Sequence, residues 1–490
     1  MKQKLIIYFL FCTALTQAQN KMDNWWYLGS SIGVHPLSGG CSINFTYDSA
    51  SVDTTPIDND LLWTLSMISD SSGNLLFYND MKRVYDRDNN IMPNGDTLMN
   101  TWSVLSPNVG GGPQGSIILP LIDSIPTYYL FSVSGEKDLG PLLLPAHLYL
   151  AKIDMSLNNG LGAVVSKNQA LNYAKMDFYI NAVKHGNGRD WWVLCHSAEG
   201  DTFYTFLLTP YGVDGPFTQV YGHINTWAGG HSSQYVQYFS PDGTKYVNSS
   251  NRRINLYDFD RCTGLLSNWQ EKKIWAAPAF SPNGQVLYLS TGLVIEQYDL
   301  SKTNWKATRD TVAVFDSIVF DSCDYAKFSW PFLASDNRIY IPAFGFCRRN
   351  IHVIDSPDVV GVGCKVLQNK IIMPKFHSGT IPHYPNYRLG PLPGSVCDTL
   401  GLGVPPAGTK PIVSIVPNPA KDYFEINVGT ISLKNKMLKI FDGYGNLLKS
   451  VMLTNDTNNR VSTAELSNGI YFIAIDNGAI DQYQKLVIVK

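Results

Sequence analysis

The sequence predicts an all-β protein in two parts, and three observations carry that reading. Short β-rich runs cut by Gly, Pro, Asn, Asp and Ser fill the chain, with almost no helical period. A hairpin template recurs through the middle. The last 80 or so residues change character after a Gly/Pro-rich stretch. Composition agrees: of 490 residues, 44% are hydrophobic, 12% aromatic and 16% charged, which suits a packed core and argues against intrinsic disorder. The formal net charge of −2 shows no basic stripe, so nucleic acid is not an expected partner.

Met1 to Ala18 reads as a secretory signal peptide. Lys2 and Lys4 form the charged start and Leu5 to Leu15 the apolar run. Thr16-Gln17-Ala18 supplies the small residues of a cleavage site before Gln19. Eleven residues rise only about 16 Å as a helix, too short for a bilayer core. No later apolar run is long enough to be expected to span a membrane. Seven cysteines follow, and an exported chain permits disulfides. Four of the seven lie between Cys323 and Cys397, where a bridge is expected. No Cys/His quartet is present, so neither a structural zinc site nor any other metal or cofactor is expected.

Three hairpins share one template. Phe239-Ser240-Pro241-Asp242-Gly243 turns into Thr244–Val247, and Ile254–Asp258 follows; Phe280-Ser281-Pro282-Asn283-Gly284 turns into Gln285–Leu289, and Ile295–Asp299 follows. Ser335-Asp336-Asn337 turns into Arg338–Ile341, and Ile351–Asp355 follows. Fainter copies surround Gly73, Pro126 and Gly188. Over five intervals from Gly73 to Asn337 the mean period is about 53 residues. One such hairpin cannot bury its own apolar face, so copies must stack, and radial stacking leaves only short edges. Residues 20–397 then predict a seven-bladed β-propeller, with six or eight blades as alternatives. An N-terminal strand near Trp25–Leu28 is expected to pair with the final blade and close the ring.

Residues 398–411 read as a linker. From 412 to 490 short alternating strands and tight turns predict a small antiparallel β-sandwich. Its landmarks are Pro417-Asn418-Pro419-Ala420, the turn from Asp442 to Asn446, Leu466-Ser467-Asn468-Gly469-Ile470-Tyr471, and Lys485-Leu486-Val487-Ile488-Val489-Lys490. This order of motifs resembles the type A C-terminal sorting domain of the type IX (Por) secretion system. The resemblance implies passage through the periplasm and release or display at the outer cell surface, with the secretion machinery as partner. The sorting residues it implies are Pro417, Asn418, Pro419, Gly469, Tyr471 and Lys485. The middle also resembles propeller-like exported proteins through Ile68–Tyr78, Ile91–Gly95, Val183–Trp192 and Asn386–Gly390, which implies architecture and no particular activity.

Two clusters are candidate ligand sites. His185, Asp190, Trp191 and Trp192 read either as a sugar-stacking platform or as a buried polar network within one blade. His223, Trp227 and His231 read as lining of the ring's mouth. Asp86–Asn90 departs from a calcium loop, with Ile91 and Thr97 where Gly and Glu are required, and reads as a turn. No HExxH signature is present, and the sequence assigns no catalytic residue. The sequence therefore points to an exported, non-catalytic binding or adhesion protein with a glycan or protein ligand at the propeller face. A secreted polysaccharide hydrolase or lyase at the same mouth is the alternative. An enzyme should gather two carboxylates, or a His with a carboxylate, in one concavity; a binder should show aromatics and neutral polar groups.

Overall fold

A computed structural model describes residues 21–490 except 31–34, 46–49, 56–64, 81, 99–113, 122–125, 138–142, 173–175, 199, 226–235, 251, 318, 321–322, 326, 344, 346–347, 378, 380, 396, 399–412, 429–433, 435, 443–446, 455–457 and 477–483. The signal-peptide reading, and the linker reading from residue 399 on, lie outside these residues. The chain divides into two units, Met1–Leu400 and Gly401–Lys490. Regular structure in both is strand, and the helical residues among those described are 3₁₀ turns at Asn158–Gly160, Trp305–Thr308 and Val362–Cys364.

The first unit is built of antiparallel meanders. The first sheet holds Trp25–Ser30, Gly39–Asn44 and Ser51–Thr55, and the second holds Ser66–Ser69, Leu75–Asn79 and Val84–Asp86. Four-stranded sheets follow. The third begins with Ser116–Leu121, the fourth with Met176–Lys184, the fifth with Gln237–Phe239, the sixth with Ala277–Phe280 and the seventh with Phe332–Leu333. A two-stranded piece, Val319–Phe320 with Cys323–Tyr325, stands between the last two. The hairpins read from sequence are the second and third strands of their sheets.

Local chemistry sets the hairpin turns. In the fifth sheet the Ser240 hydroxyl donates to Asp242 Oδ1 at 2.5 Å and accepts from Lys245 N at 2.9 Å. In the sixth the Ser281 hydroxyl donates to Asn283 Oδ1 at 2.7 Å and accepts from Val286 N at 3.0 Å. These Asx-type turns need a left-handed residue, supplied by Gly243 (φ +74°) and by Asn337 (φ +63°) in the seventh sheet. Asp86 makes a similar turn, accepting from the amides of Asp88 and Asn90.

The first strand of each sheet packs against the first strand of the next, from the first sheet to the seventh. The sequence leads one to expect Trp25–Ser30 to pair with the final sheet, and it does not. It pairs with Gly39–Asn44 in its own sheet. It meets the seventh sheet through packing instead: the fully buried Trp26 ring stands edge-on to Phe332 and Tyr340, each at 5.4 Å between centroids. The ring joins the two sheets through burial, while the backbone of its strand is paired to Gly39–Asn44.

After the last strand of the seventh sheet, Val366–His377, the chain runs from Gly379 to Asp398 as an irregular segment, here called the clasp. It reaches six sheets. His383 N donates to Leu65 O beside the second sheet, and the Tyr384 hydroxyl donates to Trp25 O in the first. The Tyr387 hydroxyl donates to Ile118 O in the third at 2.6 Å, and its ring stands edge-on to Trp191 of the fourth. Asn386 Nδ2 donates to Pro241 O in the fifth at 2.7 Å, while Tyr384 packs on Phe332 of the seventh. Arg388 forks onto both oxygens of the buried Asp23 at 2.7 and 2.9 Å. Leu392 N donates to Gly186 O, and Cys397 is bonded to Cys262. That disulfide reaches outside the stretch 323–397 where a bridge is expected: the loop it closes spans 135 residues, because the clasp returns to the fifth sheet. The side chains of Cys323 and Cys347 lie outside the described residues. Cys41, Cys195 and Cys364 are buried free thiols.

In the second unit Val413–Val416, Tyr423–Val428 and Asn458–Ser462 form one sheet. Leu447–Met452, Met437–Phe441, Gly469–Asp476 and Gln484–Ile488 form the other. Phe424, Ile426, Leu438, Ile440, Ile473, Leu486 and Ile488 from both fill one core.

The clasp passes so close to the fourth sheet that a methyl group has no room. A Cβ on Gly188 (φ +76°) would lie 2.5 Å from Pro391 N. Gly160 (φ +81°) has nothing within 4 Å. Gly188→Ala should therefore cost the backbone strain of about 1–2 kcal/mol plus a steric penalty of about 1–3 kcal/mol. Gly160→Ala should cost the strain alone. Denaturant midpoints of the two variants measure the difference; equal losses would mean the clasp does not sit there.

Candidate functional site

Polar side chains converge where the first strands of several sheets begin. Gln114 precedes the third sheet, Gln237 opens the fifth, Trp330 precedes the seventh, and His383 enters from the clasp. The Gln114 side chain acts as a short strand of its own. Its Oε1 accepts from Gln237 N at 2.7 Å and its Nε2 donates to Gln237 O at 3.0 Å. The second Nε2 hydrogen faces His383 Nδ1 at 3.3 Å. An amide nitrogen only donates, so Nδ1 accepts and the imidazole proton sits on Nε2. That Nε2 and Gln237 Nε2 are buried without a hydrogen-bond partner. Burial lowers the His383 pKa to about 3 and holds the ring neutral.

Two small cavities adjoin here and share Val236. One is lined by Gln114, Val236, Tyr238, Trp330, Phe332, Ile381 and His383 and gives a water centre about 20 Å³. The other is lined by Asp177, Tyr179, His196, Gln237, Asn248 and serines 249 and 250, besides Val236, and gives about 10 Å³. Each is of the size of a single water. The first offers aromatics and neutral polar groups. The second brings one carboxylate together with one imidazole, whose Nδ1 donates to Ser197 O at 2.8 Å, leaving Nε2 as the acceptor. No cluster of three or more metal-capable side chains occurs among the described residues.

The cluster expected from sequence lies at the opposite end of the fourth sheet's first hairpin. Lys184 pairs with Trp191 there, whereas Met176 pairs with Ser197 beside the cavities. Trp191 is fully buried with its indole donating to Pro120 O, and Trp192 donates to Arg261 O at 2.9 Å. Asp190 accepts from Asn187 Nδ2 and from Arg189 through two nitrogens. His185 Nε2 donates to Cys262 O, and its Nδ1 accepts from Asn187 N. These contacts form a polar network under the clasp, with both indole faces enclosed. Lys184 belongs to it: its ammonium donates to Gly188 O, and burial lowers its pKa to about 8. His223 stands on the outer strand Gly212–Asn225, while Trp227 and His231 lie outside the described residues. The sequence missed Gln114, Asp177, Gln237, Trp330 and His383. A polar residue at the start of an inner strand was the available signal for Asp177 and Gln237.

In the second unit the two ends of the sequence interlock. Asn418 Oδ1 accepts from Val487 N at 2.8 Å, Ala420 N donates to Val487 O, and Val489 N donates to Ala420 O. Asn468 Oδ1 accepts from Lys490 N at 2.7 Å, and the Tyr471 hydroxyl donates to Ser467 O. Gly469 lies opposite Ile488, and Lys485 opposite Phe472. Pro417 and Pro419 flank Asn418 at the surface. Residues far apart in the sequence thus meet along the last strand. Residues 414–490 match the family described as secretion system C-terminal sorting domain. The tail is a type IX secretion sorting domain. It directs the protein to the outer surface or out of the cell.

Among solved structures, the chain is similar to the Dos1 propeller (13% identity, 74% of this chain and 84% of that one, TM-score 0.40). It is also similar to a functionally unknown protein of Desulfotomaculum acetoxidans (13%, 74% and 99%, TM-score 0.39). PorZ of Porphyromonas gingivalis, described as a surface component of the type IX secretion system, is a third (12%, 92% and 63%, TM-score 0.29). At these scores the likeness says nothing of activity. No curated protein matches the chain.

The buried neutral histidines make stability depend on acid. His377, lowered to about 4, and His383, lowered to about 3, both owe the shift first to burial. The unfolded chain binds these protons near pH 6.5, so it gains protons before the folded one as pH falls. Stability should be full above pH 6.5 and decline toward pH 4, by up to about 1.4 kcal/mol per pH unit for each histidine. Thermal midpoints against pH check this. In His383→Asn the decline should be shallower, and an unchanged slope would contradict the assignment.

Proposed function

We propose that the exported part is a seven-bladed β-propeller, residues 20–397, that binds a glycan or protein ligand without catalysis. Residues 1–18 are its signal peptide, 398–411 its linker and 412–490 its sorting domain. The seven successive meanders, each first strand against the next, support the blade count. The observation that carries the binding reading is the chemistry at the end where the first strands begin: Tyr238, Trp330 and Phe332 beside Gln114 and His383 are aromatic and neutral polar groups, and since the cavity they line has room for one water, a ligand would have to open it. The clasp occupies the middle of the sheets, so the ligand would meet the end of the ring and not a through-channel.

A second reading, a polysaccharide hydrolase or lyase, has one specific support: Asp177 and His196 line the same concavity. The two readings part under one substitution. Incubated with a panel of polysaccharides, the full-length protein should be retained on at least one without shortening it. Asp177→Asn should leave retention unchanged, and Trp330→Phe should weaken it, about tenfold for each 1.4 kcal/mol of binding free energy removed. Chain cleavage that disappears in Asp177→Asn would establish the enzyme and overturn the binder. For the sorting domain, deletion of residues 412–490 should leave the folded remainder in the periplasm, as fractionation would show; normal delivery to the surface or medium would contradict its role.

A further inference from the structure

The sheets of the first unit touch their sequence neighbours, whereas the clasp touches six of them. It is also the last part of that unit to be made, and it ends at a covalent bond. Cys397 is joined to Cys262, which sits in the turn after Arg253–Phe259 in the fifth sheet. Around that bond the clasp is gripped by Arg261, whose guanidinium donates to Gly390 O, and by Gly186, whose carbonyl accepts from Leu392 N. His185 Nε2 bonds the Cys262 carbonyl from the other side. Both bridged cysteines are partly exposed, while the free Cys41, Cys195 and Cys364 are buried. The bridge thus lies nearer the surface than the unpaired described thiols.

We propose that the clasp is a redox latch: residues 379–398 lock the sheets together only once Cys262 and Cys397 are joined, so the fold is completed in an oxidising compartment. The inference holds whatever the ligand. In a reducing cytosol both thiols persist, and the clasp is held by non-covalent contacts alone. After export, a disulfide of the thiol–disulfide exchange class is attacked by one cysteine thiolate to give a mixed disulfide. The second thiolate displaces it, forming Cys262–Cys397. Two protons leave the protein, and two electrons reduce the exchange partner to its dithiol. Closing a loop of 135 residues removes much conformational freedom from the opened chain, so the bond should add stability well beyond its local contacts.

The test uses the purified full chain with and without a phosphine reductant, and the Cys262→Ser/Cys397→Ser variant. Peptide mapping without reduction should find residues 262 and 397 in one linked peptide. Reduction should lower the thermal midpoint of the wild type by about 5 °C, the order expected for a long loop in a domain this size. It should also open a protease cut between 379 and 398 while the sheets stay resistant. The variant should resemble the reduced wild type and ignore reductant. Should the variant fail to fold, reduction of the native protein still decides. Absence of the linked peptide would overturn the latch. So would a reduced protein as stable and as protease-resistant as the oxidised one, or a double variant still sensitive to reductant.

Discussion

What organises the first unit is the return of a non-repeating segment into the middle of a repeating one. Each meander can satisfy its own ladder hydrogen bonds, and each first strand rests on the next. The first sheet also meets the seventh through Trp26. The clasp adds contacts of a different kind. Two phenols, of Tyr384 and Tyr387, donate to backbone carbonyls of separate sheets, and one guanidinium closes on Asp23 across 365 residues. Buried tyrosines are suited to this work: a large apolar ring packs while the hydroxyl is aimed at one acceptor. Because Arg388 and Asp23 pair with two hydrogen bonds, neither charge is left bare in the interior.

The repeats were readable from sequence because their cause is local. Ser-Pro-Asp-Gly and Ser-Pro-Asn-Gly write the same turn twice, with the serine hydroxyl and the Asx side chain closing it and a left-handed residue completing it. Where Asn337 takes the place of glycine the pattern survives, since asparagine tolerates that conformation. The clasp has no such signature. Its meaning lies in distant hydrogen-bond partners 129 to 365 residues away, from Arg261 to Asp23. Asn386–Gly390 stood out only as part of a resemblance. The first sheet, too, repeats no turn motif, and its tryptophan pair suggested strand pairing where Trp26 in fact packs face to edge.

The same distinction explains the site. His185, Asp190 and the two tryptophans crowd one hairpin turn, so they catch the eye in one dimension. Crowding at a turn is what a buried polar network requires, and Asn187 and Arg189 complete it. The residues that line the cavities come from positions 114, 177, 237, 330 and 383, each unremarked in its own neighbourhood. The sorting domain is the opposite case. Its motifs are legible because the residues that meet in space, Asn418 with Val487 and Asn468 with Lys490, are the ones the resemblance names or flanks.

Amide hydrogen exchange of the full oxidised chain, read peptide by peptide, tests the account most directly. If residues 381–392 lie among the sheets, their peptides should exchange as slowly as those covering the inner strands at 116–121 and 176–184. Exchange of that stretch at the rate of an unstructured peptide, with the strands still protected, would contradict it.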